Sequence, residues 1–579
     1  MYRKIIKYLG QRHRIPVVGI LCLLAVYMSA QVYMSVQVED NLHKIYQQPL
    51  KPKQPTTPAT SVKKNEPKKK IEIVFALSIV KSPDLEYTRL NDSVQFYHDG
   101  AKLFCDSAHF NEPLNIFEAY SNVRMEQGDT LFLYGDYMQY DGNTKLATVR
   151  ENVRLENGSS TLFTDNLDFD RAKNIGYYFE GGMLVDSNKD GENVLTSFWG
   201  QYEPNIKLAT FMDSVKLENP KFTLFSDMLK YNTNSKIAFI TTPATIVSDS
   251  GIIYTSNGRY NTDTEKSVLL DRSLIVNKEG NRTMTGDSIL FDRATGIGEV
   301  FGKMSLQDTI KKVILRGDYG FFNEKTEFAF ASDSAYCIEY SQGDSLFLSG
   351  DTLKMRKDSI YRDILAYHNV RFYRSDMQGV CDSMQFNTRD SILHMYRDPI
   401  LWNTQNQLSG DTIDIFMNDS TIDYIHVKRY SFSVEQVDSI RFNQLKGRSL
   451  KAFFENKNIR RVLVEGDANS IFYPREDNKD PERNGMIIGL NRLESSYLEI
   501  FFKDKKLEKL KAWPKPVGRM TPLEMILPEE TKLPDFYWYD YLRPLDKDDI
   551  FRRVSKKTGD VKPKRSSDFD KAMQQADQE

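Results

Sequence analysis

Residues 128–154 read GDTLFLYGDYMQYDGNTKLATVRENVR. On the far side of the polar YDGNTK segment the residues alternate: Ala147 and Val149 share one face, Thr148 and Arg150 the other. Period two with one apolar face marks a half-buried strand. A cluster of Asp, Asn, Gly and Thr between two such runs is tight-turn chemistry. The stretch therefore predicts a β-hairpin with long arms.

The same pattern recurs along the chain. An aromatic followed by Asp or Asn stands at Phe110-Asn111, Tyr140-Asp141, Phe169-Asp170, Tyr231-Asn232, Tyr260-Asn261, Phe291-Asp292, Phe322-Asn323 and Phe386-Asn387, with Tyr202-Glu203 filling the missing beat. Successive gaps from Phe110 to Phe322 are 30, 29, 33, 29, 29, 31 and 31 residues, the regularity of a stacked array. Four residues before seven of these nine aromatics comes an Asp behind a small residue: Asp106, Asp136, Asp165, Asp227, Asp287, Asp318 and Asp382. After it, the thirteenth place is often apolar behind Asn or a small polar residue, as in Asn122-Val123, Asn152-Val153 and Ser214-Val215. Small residues and side chains that bond their own backbone let a strand bend. Both arms of each hairpin are expected to fold at matching heights, giving an all-β, elongated, V-shaped stack with an apolar interior. Each repeat adds about 9 to 10 Å, two strand spacings. The Asp row is read as structural bend residues, with calcium binding as the rival. The Gly-Asp nonapeptide of calcium β-rolls is missing.

An open V has an apolar trough. Its expected lining is the seventh, ninth and thirteenth places of the repeats: Phe117, Ala119, Val123, Ala147, Val149, Val153, Ala209, Phe211 and Val215. For each, plain core packing competes with lipid contact. Such a lining suits acyl chains, which gain about 0.8 kcal/mol per buried CH2.

The ends read differently. Arg3, Lys4, Lys7, Arg12 and Arg14 precede the apolar IPVVGILCLLAVYMSA, and Ala30-Gln31 offers a small-residue cleavage point. Residues 1–30 are a signal peptide, or residues 15–38 remain as a membrane anchor; either way the bulk is exported. Residues 39–70, rich in Pro and Lys, read as a linker. Residues 71–330 carry the regular repeats and 331–512 divergent ones. Residues 513–579 form a Pro-rich, polar tail expected to be largely disordered, with the aromatic Tyr537–Tyr541 patch either a cap over the last strands or a docking patch.

Chemistry is sparse. With 78 basic against 80 acidic residues there is no footprint for nucleic acid. Cys105, Cys337 and Cys381 do not make a disulfide framework, and no zinc-type spacing occurs. No P-loop is present. No catalytic residue, metal or cofactor is assigned.

The recurring unit, clearest in GDYMQYDGNTKLATVRENVRL and CDSAHFNEPLNIFEAYSNVRM, resembles the LptA/OstA family of lipopolysaccharide transport proteins, in the long form of Bacteroidota-type envelopes. The resemblance spans roughly residues 72–512 and is strongest from 100 to 330. It implies a bent β-jellyroll in the periplasm that carries lipid A chains from inner to outer membrane during outer-membrane biogenesis. It also implies partners at the open sheet edges: an inner-membrane extraction complex, an outer-membrane translocon, and other copies end to end. Two other classes remain open: a passive extracytoplasmic scaffold or adhesin whose interior is filled by its own side chains, and a polysaccharide-active β-helix enzyme, which needs acid and base converging on one groove. Evenly spaced Asp residues suit architecture over catalysis.

Overall fold

The computed structural model describes residues 69–557, apart from 82–85, 189–190, 342–343, 359–360, 419–420, 456–457, 477–484 and 504–505. The signal-or-anchor segment, the linker up to residue 68 and the last part of the tail lie outside the described residues. The described residues belong to one compact unit that starts at Lys69. They form a single antiparallel sheet in which successive strands pair with their neighbours, and they contain no α-helix.

Two turns alternate along the array. The aromatic–Asx pair makes one of them. In the hairpin joining Leu131–Asp141 to Leu146–Asn157, Asp141 Oδ1 accepts the Asn143 amide at 2.7 Å. Asn232, Asn261, Asn323 and Asn387 accept the amide two residues on in the same way. The motif thus joins two jobs: the aromatic points inward, and the Asx side chain builds the turn. The opposite turns carry Gly100, Gly128 and Gly158 at positive φ.

Midway along the return strand the backbone makes a corner. Two consecutive residues adopt left-handed angles at Asp92–Ser93, Ser121–Asn122, Glu151–Asn152, Asp213–Ser214, Gly302–Lys303, His368–Asn369 and Gly466–Asp467. The pairing register breaks at the same places. Two residues oppose one: Ser121–Asn122 face Asp136, Glu151–Asn152 face Asp165, and His368–Asn369 face Asp382. This is a β-bulge repeated strand after strand, and each bulge turns the sheet the same way. Asn, Asp and Ser dominate the pairs because short polar side chains tolerate the left-handed region. The corners line up into a crease that divides the sheet into two walls.

Inside the crease the apolar faces meet. One buried cluster runs from Ile71 to Tyr260, a second from Leu269 to Leu498. Cys105 and Cys381 are buried at the crease in the slot that Gly135 fills elsewhere, and burial pushes the Cys105 thiol up to about 12. Space there is short: a Cβ added to Gly135 would lie 2.5 Å from Val149 Cγ1.

The tail departs from expectation. Residues 513–557 are not disordered. Val517–Pro522 forms a strand paired with Gly489–Lys503, and the chain then runs back over the array through four short 3-10 turns. A Pro-rich stretch without periodicity signals the absence of a long helix or strand; it carries no information on whether side chains elsewhere hold it.

The corner geometry yields a test. Asn152→Val places a β-branched residue at positive φ and is expected to cost about 1–2 kcal/mol. Asn152→Gly loses the same side-chain bond without the strain and is expected to cost less than half as much; urea unfolding of both variants decides.

Candidate functional site: the interior and its mouth

The two rows of turns form the rims of a mouth opposite the crease. One rim carries the aromatic–Asx turns, the other the glycine turns. The wall between crease and aromatic–Asx turns is called upper, the other lower.

All nine residues expected to line a trough face inward. Phe117, Ala119, Val123, Ala147, Val149, Val153, Ala209, Phe211 and Val215 belong to one buried cluster, none more than 3% exposed. Phe117 stacks on Phe96 of the opposite wall with ring centres 4.3 Å apart, and along this section the interior is filled by its own side chains. The open trough expected along the whole chain is corrected here: period-two alternation specifies which face is inside and leaves the distance between the walls unspecified.

That distance is set by a seam of polar bonds across the mouth. His98 Nδ1 lies 2.8 Å from the Tyr140 hydroxyl, and His98 Nε2 lies 3.1 Å from the Lys69 carbonyl. The carbonyl only accepts, so the ring donates through Nε2 and accepts the Tyr140 proton at Nδ1. Arg171 donates to the same hydroxyl at 2.6 Å and to Gln127 at 3.1 Å, and Lys145 pairs with Asp99. Further along, Asn157 donates to the Tyr202 hydroxyl at 3.0 Å. Asp186, fully buried, accepts from Tyr231 at 2.7 Å, from Ser160 at 2.7 Å and from Lys236 at 2.8 Å. Asn193 donates to Tyr231 and Thr262; Lys221 pairs with Glu265; Arg293 donates to the Lys221 carbonyl. Burial, with the Asp186 carboxylate beside it, pushes the Tyr231 hydroxyl far above its ordinary pKa, so it stays a donor. Sequence reasoning passed over these residues. Their signal was present: Asn157, Asp186 and Asn193 are polar at places where the alternation demands an inward apolar residue.

Beyond this seam the interior changes. The aromatic of the motif becomes Phe at Phe291, Phe322 and Phe386, with no hydroxyl to offer a partner. Interior side chains near the crease stay buried, as at Ala331, Val370 and Val427. Nearer the mouth they are partly exposed on both walls: Leu306, Leu348, Met377, Leu408, Leu445 and Leu493 below, Met355, Leu393, Phe454 and Ile500 above.

In this second section the lower wall is covered from outside. Gln407 donates to the Tyr537 carbonyl at 2.9 Å and accepts the Tyr539 amide at 2.7 Å. Gln444 does the same for Thr531 and Leu533, at 2.7 and 2.8 Å. Gln378 accepts from Arg543, Arg371 donates to the Leu542 carbonyl, and Ser349 to the Ile550 carbonyl. Leu533 packs on Phe432, Val434 and Ile471; Tyr539 and Leu542 pack on Ile400 and Trp402. The Tyr537–Tyr541 stretch therefore lies on an outer wall as part of a strap.

The Asp row lies on the outside, at the crease. Asp106, Asp136, Asp165, Asp227, Asp287 and Asp318 are exposed and Asp382 partly so. Asn122 donates to Asp106 at 2.7 Å and Asn152 to Asp136 at 2.5 Å; Arg272 pairs with Asp287, and His368 and Arg397 with Asp382. Asp318 receives no side-chain bond of this kind, but its amide donates to the Asp333 carbonyl. Successive members stand at least two strands apart, and among the described residues no three His, Cys, Asp or Glu are grouped to hold a metal ion.

Two outcomes test the seam. Asp186→Ala leaves the Lys236 ammonium without its buried carboxylate and is expected to cost about 3 kcal/mol in urea unfolding. Burial, the largest influence, holds the His98 pKa below its ordinary value. The unfolded chain therefore binds that proton first, and the stability contributed by the neutral ring is complete above about pH 6.5 and lost as pH falls towards the folded pKa. The melting temperature should fall from pH 7 to 5, and His98→Gln should flatten that fall.

Comparison with known proteins bears on the first section. The family described as OstA-like protein matches residues 68–227. No curated protein matches. Among solved structures, LptH, titled the LptA-homologous periplasmic component of the lipopolysaccharide transport device of Pseudomonas aeruginosa, is 17% identical, covers 18% of this chain and 76% of its own, and has a TM-score of 0.17. The sequence resemblance was drawn from 72 to about 512; the family match covers the first part of that span. Over residues 68–227, and not over the rest, this chain matches the OstA-like family.

Proposed function

We propose that this protein is a periplasmic carrier of lipopolysaccharide, holding lipid A chains against the apolar interior of its creased sheet and passing them from inner towards outer membrane. The observation that carries the reading is an inward apolar face continuing from Leu90 to Leu498 in a chain whose first part is an OstA-like domain. Each CH2 buried there gains about 0.8 kcal/mol, so a few chains give a firm hold while sugars and phosphates stay in water.

Partner contacts belong at the ends of the sheet. At the start, Glu72–Phe75 and Ser78–Val80 pair on one side only and expose Ile73, Val74, Phe75, Leu77, Ile79 and Val80. At the other end, Lys506–Trp513 and Val517–Pro522 pair only with Gly489–Lys503. Such edges are templates for strand addition by an extraction complex, a translocon or another copy. The carrier itself needs no catalytic group, and energy comes from a partner. A passive scaffold remains the alternative, favoured by the filled interior of the first section.

The experiment is a binding titration of the purified exported protein with lipopolysaccharide and with the same molecule after removal of its acyl chains. Binding is expected for the first alone. Equal affinity for both overturns an apolar site, absence of binding supports the scaffold, and cleavage of the glycan points to an enzyme.

A further inference from the structure

A β-sheet in water needs to bury one of its faces. The two sections of the lower wall do this in opposite ways. Up to about Tyr260 the lower wall buries its inner face against the upper wall, and the seam from His98 to Arg293 holds the rims together. Its outer face is left to solvent: Phe163, Met183, Phe225 and Tyr254 are exposed there. Those residues belong to one cross-strand row, Phe163–Met183–Thr196–Lys216–Phe225–Thr245–Tyr254, which pairing continues strand by strand to Tyr336–Ser349–Arg371–Val380–Ile400. In that later part the same outer row is buried under the strap, with Ile400 and Trp402 fully covered.

The strap changes what the inner face has to do. The lower wall of the second section is packed on its outer face by the strap, and its buried contacts with the upper wall gather towards the crease. Its inner Leu306, Leu348, Met377, Leu408, Leu445 and Leu493 are left partly uncovered, facing equally uncovered residues of the upper wall. Two small residues, Ser433 and Ser470, have inward parity on the lower wall, while the space beside Gly379 and Gly447 is taken by Phe372 and Val464. This interior continues strand by strand from that of the OstA-like domain, and its partly exposed lining is apolar, aliphatic with Phe291, Phe322, Phe386 and Phe454.

We propose that the lipid-binding section is the unlatched one, between about Leu306 and Ile500. There acyl chains of an amphiphile enter sideways through the mouth, while the section from Leu90 to Thr262 stays closed. Gln378, Gln407 and Gln444 are positioning residues for that site: they touch no lipid and act by holding the strap to the outer face. The proposal rests on the lipid-carrier reading and relocates its site away from the nine residues picked by apolar regularity.

The full-length exported protein, carrying a photoactivatable benzoylphenylalanine at one position at a time, is irradiated with lipopolysaccharide. Leu393 and Leu445 report on the unlatched section; Phe211, an aromatic-for-aromatic replacement, and Val149 report on the closed one. Lipid adducts at 393 and 445 at least tenfold above those at 149 and 211 are expected. Equal or reversed yields overturn the placement and leave the carrier reading standing. No adduct at any of the four overturns both.

A second arm reads the strap. Gln407→Leu with Gln444→Leu is expected to lower the adduct at Leu393 at least threefold while the adduct-free melting of the OstA-like section is unchanged. An unaltered yield at Leu393 in a variant whose strap has become protease-sensitive overturns the positioning role. A latch variant, Asp186→Asn with Lys236→Met, removes the buried charges together and is expected to raise the adduct at Phe211; no rise overturns the seam as the element that closes the first section.

Discussion

The whole architecture depends on a strand that can turn a corner without losing its place in the ladder. A left-handed pair such as Glu151–Asn152 does this by setting two residues against one on the neighbouring strand. Because most return strands carry such a pair, the bends accumulate into one crease instead of scattering. A single strand lacking the corner would run straight through and pull its neighbours out of register. The repeat length is therefore constrained less by the turns than by the need to bring the next corner to the same height.

Once the crease exists, the sheet has an inside and an outside, and the inside needs a partner. The first section solves this with side chains. Tyr140, Tyr202 and Tyr231 reach across with a ring that fills the interior and a hydroxyl that meets His98, Asn157 and Asp186 respectively on the far rim. Buried hydroxyls without partners are costly, and buried carboxylates more so. The seam is therefore cooperative: Asp186 is tolerable in the interior only while Ser160, Tyr231 and Lys236 all stay in place.

Much of this was legible from residues alone. The turns, the alternation and the bend positions are local, set by residues within a few places of one another, and the repeat spelled them out many times. The distance between the walls was not legible, because it depends on pairs such as His98 with Tyr140 and Asp186 with Lys236, which belong to different repeats. Choosing trough residues by apolar regularity selected the places that pack best, which is why all nine lie in the closed section. From Phe291 on the motif aromatic is Phe, as it already is at Phe110 and Phe169 within the closed section, so its identity alone does not mark where the seam ends. The strap stayed hidden for a related reason: Leu533 is held by Gln444 and Tyr539 by Gln407, residues 89 and 132 places away.

The two sections divide a conflict that a single uniform array would face. An interior filled by its own side chains is stable and leaves no room for a ligand; an interior left open for ligand exposes apolar surface on both walls and invites collapse. A strap across the outer face removes that conflict for the lower wall, since one buried face is enough to hold a strand. It does so with bonds to backbone groups, through Gln407 and Gln444, so its hold does not depend on the interior being occupied. The closed section then fixes the crease and the register from which the second one continues, and the second one is relieved of carrying the stability of the sheet.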